Sequence, residues 1–331
     1  MMVGSLRTLL LRILLGCTVL FGSVGATLAV ESSKNTYLLG LNGSLAGFLP
    51  PPGVYFRSDK YLYHGEADPG VNFPFGGRII ANVEVDLFFE TPIVTWVTNQ
   101  KVLGGTLAFG ALMPFGWQDL NAGVELDFPT LGITLGTNIK DDLFTYGDLF
   151  FLTILGWHAG NLHWNVAGML LVPIGDYQLG RLLNMGLNRW AYDVTGSMTW
   201  FNMKTGRELS VSPGITFNGT NDDTNYNSGD EFHLEFVAAQ HFPKGVTLGV
   251  AGYYYDQITG DSGAGARLGS FKGRVTAVGP FLGYDFKWRG KPVSAKLRWL
   301  HEFDIKNRLE GDVGVFNLAF PLGTSGPPSA K

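Results

Sequence analysis

Apolar and polar residues alternate along this chain in segments of about ten residues, and turn-forming residues separate the segments. The clearest segment runs from Glu231 to Phe242, where Phe232, Leu234 and Phe236 alternate with polar or charged residues. A period of two places one set of side chains on each face of an extended strand. After the first thirty positions there is no uninterrupted apolar run of about 18 residues, which excludes membrane-spanning helices. The pattern predicts antiparallel strands long enough to cross a membrane.

The composition points to the same class of protein. Only 16% of the 331 residues are charged, whereas soluble domains carry roughly 25%. Glycine (46 residues) and aromatic residues (13%) are abundant, as strands, tight turns and interfacial aromatic girdles require. The 24 basic residues are outnumbered by 28 acidic residues and form no basic stripe, so nucleic acid is excluded as a partner.

Alternation alone fits two architectures. In a soluble sandwich the apolar face packs into a core, whereas in a membrane barrel it faces lipid and the polar face lines a lumen. The strand length and the tryptophans near the segment ends favour an all-β, transmembrane antiparallel β-barrel. These tryptophans are Trp157, Trp164, Trp190, Trp200, Trp288 and Trp299.

The polar positions of four alternating segments predict which side chains line the lumen. We expect charged and aromatic residues on that face, and no residue set completes a metal, cofactor or catalytic site. The candidates are Glu84, Asp86, Glu231, His233, Glu235, Tyr253, Tyr255, Lys296, Arg298 and Glu302.

The first 29 residues have the features of a cleaved secretory signal peptide. Arg7 and Arg12 form a positive region, an apolar stretch follows from Ile13 to Phe21, and small residues continue to Ala29. An uncleaved membrane anchor is the alternative, but the apolar stretch is short for one. Lipidation of Cys17, the single cysteine, is a further alternative. Secretion and a barrel together predict the outer membrane of a Gram-negative bacterium.

The connections between segments alternate between short and long, as in outer-membrane barrels with short periplasmic turns and long extracellular loops. We expect twelve strands within residues 51–320, or fourteen if Thr36–Phe48 forms a strand. Residues 30–50 are expected to form a periplasmic segment or a plug, and residues 321–331 a C-terminal tail. Short turns are predicted at 159–161, 204–206, 243–245 and 289–291, and long connections near 136–146, 174–187, 219–230 and 258–270.

Several motifs in the central part of the chain resemble a known family. They include the stretches from Gly186 to Trp190, from Phe217 to Gly229 and from Gly252 to Gly263. These stretches are similar to the outer-membrane proteins associated with the meta pathway of phenol degradation, the SphA-like transporters. The resemblance implies a barrel of the type that takes up fatty acids and aromatic hydrocarbons. It implies no catalytic residues and no cofactor.

The expected function is passive uptake of small hydrophobic or aromatic compounds across the outer membrane. The expected partners are outer-membrane lipids, the solute and the barrel-assembly machinery. A structural or adhesion barrel without transport is the alternative. An enzyme is not expected, because none of the six histidines lies in a motif beside a nucleophilic serine.

Overall fold

The computed structural model describes residues 35–67, 72–75, 78–128, 133–267 and 269–324. The predicted signal peptide and Cys17 lie outside the described residues. The regular structure of the described chain is β-strand, apart from one 3-10 turn at Pro243–Gly245. The strands are β1 (Gly53–Glu66), β2 (Asn72–Phe75), β3 (Arg78–Val102), β4 (Gly105–Leu112), β5 (Phe115–Phe128), β6 (Ile133–Tyr146), β7 (Leu149–Ala159), β8 (Leu162–Val172), β9 (Ala191–Asn202), β10 (Arg207–Asn218), β11 (Thr220–Asn221), β12 (Tyr226–Asn227), β13 (Glu231–His241), β14 (Val246–Gln257), β15 (Arg274–Trp288), β16 (Lys291–Lys306) and β17 (Glu310–Thr324).

A single antiparallel sheet contains all the long strands and closes on itself. Strand β1 pairs with β17 on one side and with β3 on the other, so that Leu62 lies opposite both Gly314 and Phe88. Around the closed sheet the order is β1, β17, β16, β15, β14, β13, β10, β9, β8, β7, β4 and β3. The predicted antiparallel barrel of twelve strands is therefore confirmed.

Strands β5 and β6 extend this barrel at one end. Strand β3 is 25 residues long and pairs with β4 along one half and with β5 along the other. Strand β5 continues the direction of β4 after Pro114, which lacks the N–H that a regular ladder needs. Strand β6 pairs with β5 and leads into β7. The β5–β6 hairpin therefore prolongs two of the twelve strands of the barrel, β4 and β7, and adds no further strand to the closed sheet.

Residues 35–52 form no strand. The alternative of fourteen strands, which required a strand at Thr36–Phe48, is therefore wrong. The backbone of this segment instead bonds to side chains, as described below. At the other end of the chain, β17 continues to Thr324, four residues beyond the predicted boundary of the barrel, and residues 325–331 lie outside the described part.

The two ends of the barrel differ in the length of their connections. One end has tight turns whose two central residues both have positive φ values. In Leu103–Gly104 these values are 48° and 77°, and in Arg289–Gly290 they are 50° and 79°. Such pairs match the twist of the flanking strands. The other end, the long-loop end, has connections at 173–190, 219–230 and 258–273.

One predicted long connection, near residues 136–146, is wrong. These residues belong to β6, where Lys140 pairs with Asn121 and Asp141 with Leu120. The charged residues of β6 resemble those of a solvated loop because the β5–β6 hairpin extends beyond the end of the neighbouring strand β8. Leu149, the first residue of β7, already lies opposite Val172, the last residue of β8. Strands that leave the apolar zone no longer need an apolar face.

The faces of the sheet have the polarity of a membrane barrel. On β13 and β14 the inner-face residues His233 and Glu235 are each 1% exposed, whereas the outer-face residues Leu248 and Val250 are 49% and 47% exposed. Large apolar side chains cover the outside of most strands, far beyond the small patches of soluble proteins. A soluble sandwich, which buries its apolar faces, is therefore excluded. No helix within the described ranges is long and apolar enough to span a membrane.

Candidate solute path

The N-terminal segment, defined as residues 35–49, lies inside the barrel against polar side chains of its inner wall. Two wall carboxylates accept hydrogen bonds from its backbone. Glu235 accepts from the N–H groups of Gly40 and Asn42, the latter at 2.7 Å. Glu208 accepts from the N–H of Leu45 at 2.6 Å and from the Ser44 hydroxyl at 2.7 Å. The carboxylates thus replace the strand partners that these N–H groups lack.

Two cations of the wall, and the side-chain amide of Asn165, donate hydrogen bonds to carbonyl groups of the same segment; the amide donates to the Ala46 carbonyl at 2.8 Å. Arg298 donates from Nη1 to the Asn42 carbonyl at 2.8 Å and from Nη2 to the Leu41 carbonyl at 3.2 Å. Lys296 donates from Nζ to the Ser44 carbonyl at 2.7 Å. The wall therefore satisfies both the donors and the acceptors of an irregular backbone, which fixes its path through the lumen.

An aromatic contact adds to this attachment. The ring of Tyr37 stacks on the ring of His233, with 3.7 Å between their centroids, and its hydroxyl donates to Glu235 at 3.1 Å. His233 Nε2 lies 2.8 Å from Oδ2 of Asp193, which also accepts from the Thr216 hydroxyl. The tyrosine is thus held by a buried polar network of Glu235, His233 and Asp193.

The structure places eight of the ten lumen candidates on the inner face. Their contribution to solute passage stays a prediction. Four contact the N-terminal segment, namely His233, Glu235, Lys296 and Arg298. The other four, Glu231, Tyr253, Tyr255 and Glu302, are also buried on the inner face. Tyr253 lies opposite Glu235 and Tyr255 lies opposite His233 on the neighbouring strand.

The assignment of Glu84 and Asp86 to the lumen is wrong. They lie on the outer face of β3, where Oδ1 of Asp86 lies 2.9 Å from Nδ1 of His64 and the side chains of Asp86 and His64 are both exposed. Val83 and Val85 point inward and are 1% and 4% exposed. Alternation separates the two faces of a strand but does not tell which face points into the barrel. At β3 the apolar face points inward, because it lines an apolar cavity.

This cavity has a volume of about 130 Å³ and lies toward the long-loop end, beside the N-terminal segment. Its walls come from the inner faces of β1 and β3, the junctions at Pro114 and Asp148, the N-terminal segment and the connection at 173–190. The lining residues are Asn35, Thr36, Tyr37, Leu38, Leu39, Tyr61, Tyr63, Val85, Leu87, Phe89, Pro114, Asp148, Phe150, Leu183, Met185, Leu187, Glu302, Arg308 and Leu309.

Sequence reasoning identified only one of these residues, Glu302, as a lumen residue. A signal was present in the connection at 173–190, which was expected only as a long connection near 174–187. It carries four large apolar residues, Leu182, Leu183, Met185 and Leu187. Apolar residues in a connection indicate that it packs against something. Leu183 is indeed fully buried.

The cavity contains three charged side chains among its apolar walls. Glu302 accepts hydrogen bonds from the hydroxyls of Tyr253 at 2.6 Å and Tyr63 at 3.1 Å. Asp148 accepts from the backbone N–H groups of Gly175 at 2.8 Å and Leu187 at 2.7 Å. The guanidinium of Arg308 lies 4.6 Å from the ring centroid of Tyr255. An apolar pocket with a few placed polar groups is the usual form of a small-molecule site.

Comparison with solved structures shows the fold of outer-membrane channels. The COG4313 outer membrane channel from Pseudomonas putida F1 superposes with a TM-score of 0.62 at 15% identity, covering 82% of this chain and 96% of that one. A FadL homologue from Pseudomonas aeruginosa has a TM-score of 0.40 at 10% identity, covering 85% and 91%. The CymD monoaromatic hydrocarbon channel has a TM-score of 0.39 at 9% identity, covering 91% and 98%.

Comparison with curated proteins found no match. A family model matches residues 70–318, which is more than half of the chain, and it is described as "Putative MetA-pathway of phenol degradation". The resemblance inferred from the central motifs is thereby confirmed, and the chain belongs to this family.

Proposed function

We propose that this protein is an outer-membrane channel through which small hydrophobic or aromatic compounds enter a Gram-negative cell passively. The observation that carries the proposal is the apolar cavity inside the barrel, next to the N-terminal segment. Such solutes cross a lipopolysaccharide leaflet poorly, and a cavity with aromatic walls gives them a favourable first position. The names of the channel-type neighbours and of the family agree with this proposal.

The number of strands fits this type of passage. Barrels of about eight strands are filled by side chains or one small ligand, and barrels of sixteen or more leave an aqueous channel. Twelve strands give an intermediate width, and the N-terminal segment occupies much of it. We infer that residues 30–50 act as a plug, because a solute that leaves the cavity toward the short-turn end meets this segment. We expect the exposed apolar outer face to contact outer-membrane lipids and the barrel-assembly machinery to insert it.

The proposal is tested by uptake of labelled toluene and phenol into proteoliposomes, relative to protein-free vesicles. Leu183→Trp fills the cavity and is expected to lower uptake several-fold. Leu179→Trp is the matched control, because Leu179 belongs to the same connection but is 57% exposed. Growth of a deletion strain on limiting aromatic carbon sources is the cellular counterpart. Absence of protein-dependent uptake together with normal growth would contradict transport and favour a structural or adhesion barrel.

A further inference from the structure

The charged groups that line the cavity differ in how well the protein satisfies them. The carboxylates of Asp148 and Glu302 are each 2% exposed at the residue level, and both oxygens of each accept a hydrogen bond from the protein. Neither carboxylate therefore depends on a ligand. Buried polar groups without partners are rare, so the group that differs from this pattern is informative.

Arg308 is that group. Within the described ranges its guanidinium donates one hydrogen bond, from Nη1 to Oδ1 of Asn35 at 2.7 Å. Its Nε is shielded from solvent and has no acceptor among the described residues. A guanidinium has five N–H donors and no acceptor. The unused hydrogen-bonding capacity at the cavity is therefore that of a donor, and a matching ligand has to bring an acceptor.

The size and the walls of the cavity restrict the rest of the ligand. An apolar cavity of about 150 Å³ binds benzene, and this cavity of about 130 Å³ is similar. Tyr61 and Phe89, whose ring planes are inclined by 15°, stand on neighbouring strands and both contribute to the lining. Aromatic walls favour a flat ring by offset or edge contacts.

The charges around the cavity favour a neutral ligand. An anion that approached Arg308 would also approach Glu302 and Asp148, which line the same space, and a cation would meet Arg308. A neutral oxygen acceptor takes a hydrogen bond from the guanidinium without either repulsion. Ether, carbonyl and hydroxyl oxygens on a single ring all meet this requirement.

We propose that the cavity is a binding site for a neutral one-ring aromatic compound with an oxygen acceptor, and that Arg308 selects it over the corresponding hydrocarbon. This inference rests on the proposed function, since it names the class of solute that the channel holds. Arg308 lies in the short connection between β16 and β17, at the same end as the long loops. A solute that enters the barrel from that end therefore meets it early.

The experiment compares two probes of similar shape, 4-fluoroanisole and 1-ethyl-4-fluorobenzene, which differ in one ether oxygen. Fluorine NMR measures their binding to the full barrel in lipid nanodiscs, with empty nanodiscs correcting for partition into lipid. We expect 4-fluoroanisole to bind about tenfold more tightly than the hydrocarbon, as a hydrogen bond to a charged donor allows. 4-Fluorobenzoate, the anionic probe, is expected to bind more weakly than 4-fluoroanisole.

Arg308→Met removes the donors while keeping a long side chain, and we expect it to bring the ratio of the two affinities close to one. Arg308→Lys, which keeps a donor, is expected to retain part of the preference. Arg289→Met, in a tight turn at the opposite end, is the matched control and should leave the ratio unchanged. Heat-modifiable gel mobility verifies that each variant is folded.

Equal binding of the two neutral probes by the unmodified protein, or an unchanged ratio in Arg308→Met, would overturn the assignment of Arg308. Tighter binding of 4-fluorobenzoate would overturn the preference for a neutral ligand. Failure of the channel proposal is distinguishable, because it appears as selective binding without uptake into proteoliposomes. Uptake without any preference between the two neutral probes would be consistent with the channel proposal and would contradict the proposed binding site.

Discussion

At the scale of single residues, Glu235 is the side chain that joins the barrel wall to the N-terminal segment most closely. One of its oxygens accepts from the Gly40 N–H, and the other accepts from the Asn42 N–H and the Tyr37 hydroxyl. Hydrogen bonds to charged groups contribute about 1.5–3 kcal/mol each. Glu231 lies on the same face of the same strand, but it bonds to Asn218 of β10 and not to the segment.

We therefore expect Glu235→Gln to loosen the plug. The amide keeps the size of the side chain, but its NH2 group faces a backbone N–H and cannot accept from it. Loss of one such bond, at about 1.4 kcal/mol or more, corresponds to an open state roughly ten times more populated. Single-channel conductance in planar bilayers measures this change, and Glu231→Gln serves as the control. Equal conductance in Glu235→Gln and the unmodified protein would show that the segment is held by other contacts.

A second residue-scale prediction concerns the outer face. Val250 lies near the middle of β14 and is 47% exposed, so an arginine there faces hydrocarbon. Val250→Arg is expected to cost about 2–4 kcal/mol, whereas the same charge near the membrane surface costs about 0–1 kcal/mol. Met203→Arg, in the exposed turn between β9 and β10, is the comparison. Denaturant unfolding from lipid vesicles measures both, and equal costs would argue that β14 does not face lipid.

At the scale of elements, the connection at 173–190 is fixed to the junction between β6 and β7 at two places. Asp148 accepts from the N–H groups of Gly175 and Leu187, near the two ends of the connection. Asp176 accepts from the Thr145 hydroxyl at 2.6 Å. This hydrogen bond, together with Arg181, lowers the pKa of Asp176. Because the pKa is lowered in the folded protein, the ionised carboxylate stabilises this contact fully at a pH above its ordinary pKa near 4. The stabilisation is lost as the pH falls through the lowered pKa.

Asp148→Asn is expected to release the connection from the cavity wall. An asparagine retains one acceptor oxygen, so one of the two backbone N–H groups loses its partner in a buried position. We expect trypsin to cleave after Arg181 several-fold faster in this variant than in the unmodified barrel. Asp142→Asn, at an exposed position of β6, is the control. Unchanged cleavage would mean that the apolar contacts of Leu183 and Met185 hold the connection without Asp148.

The elements also show how far the sequence predicts this structure. Strands β13 and β16 were identified correctly because charged or polar residues recur at alternate positions on one face, and β14 because Leu248 and Val250 alternate with smaller or polar residues such as Thr247. The fold buries the more polar face in the lumen. Strand β3 has the same alternation, yet Glu84 and Asp86 face outward because the charged positions of its upper half lie beyond the apolar zone. The cavity was not predictable, since Tyr37, Leu183 and Arg308 come from three distant segments that only the closed barrel brings together.

At the scale of the whole molecule, the barrel has a direction. One end of the described barrel has tight turns, whereas the long connections, the cavity and Arg308 are at the other end, although the connection between β16 and β17, also at that end, is short. Outer-membrane barrels place short turns in the periplasm and long loops outside the cell. A cavity that receives solutes from the medium has to open toward the same side as the long loops, so the connection lengths and the position of the cavity lead to the same orientation.

We expect the connection at 219–230 to be extracellular and the turn at Pro243–Gly245 to be periplasmic. Cys17 is the only cysteine of the chain, and it lies in the predicted signal peptide, so new cysteines can be labelled without interference. Asp223→Cys, in the long connection, should react with a membrane-impermeant maleimide on intact cells. Lys244→Cys, at a position that is also exposed but lies at the opposite end, should react only after the outer membrane is permeabilised. The reverse labelling would place the cavity on the periplasmic side, and the direction of entry proposed above would then be wrong even if the barrel conducts solutes.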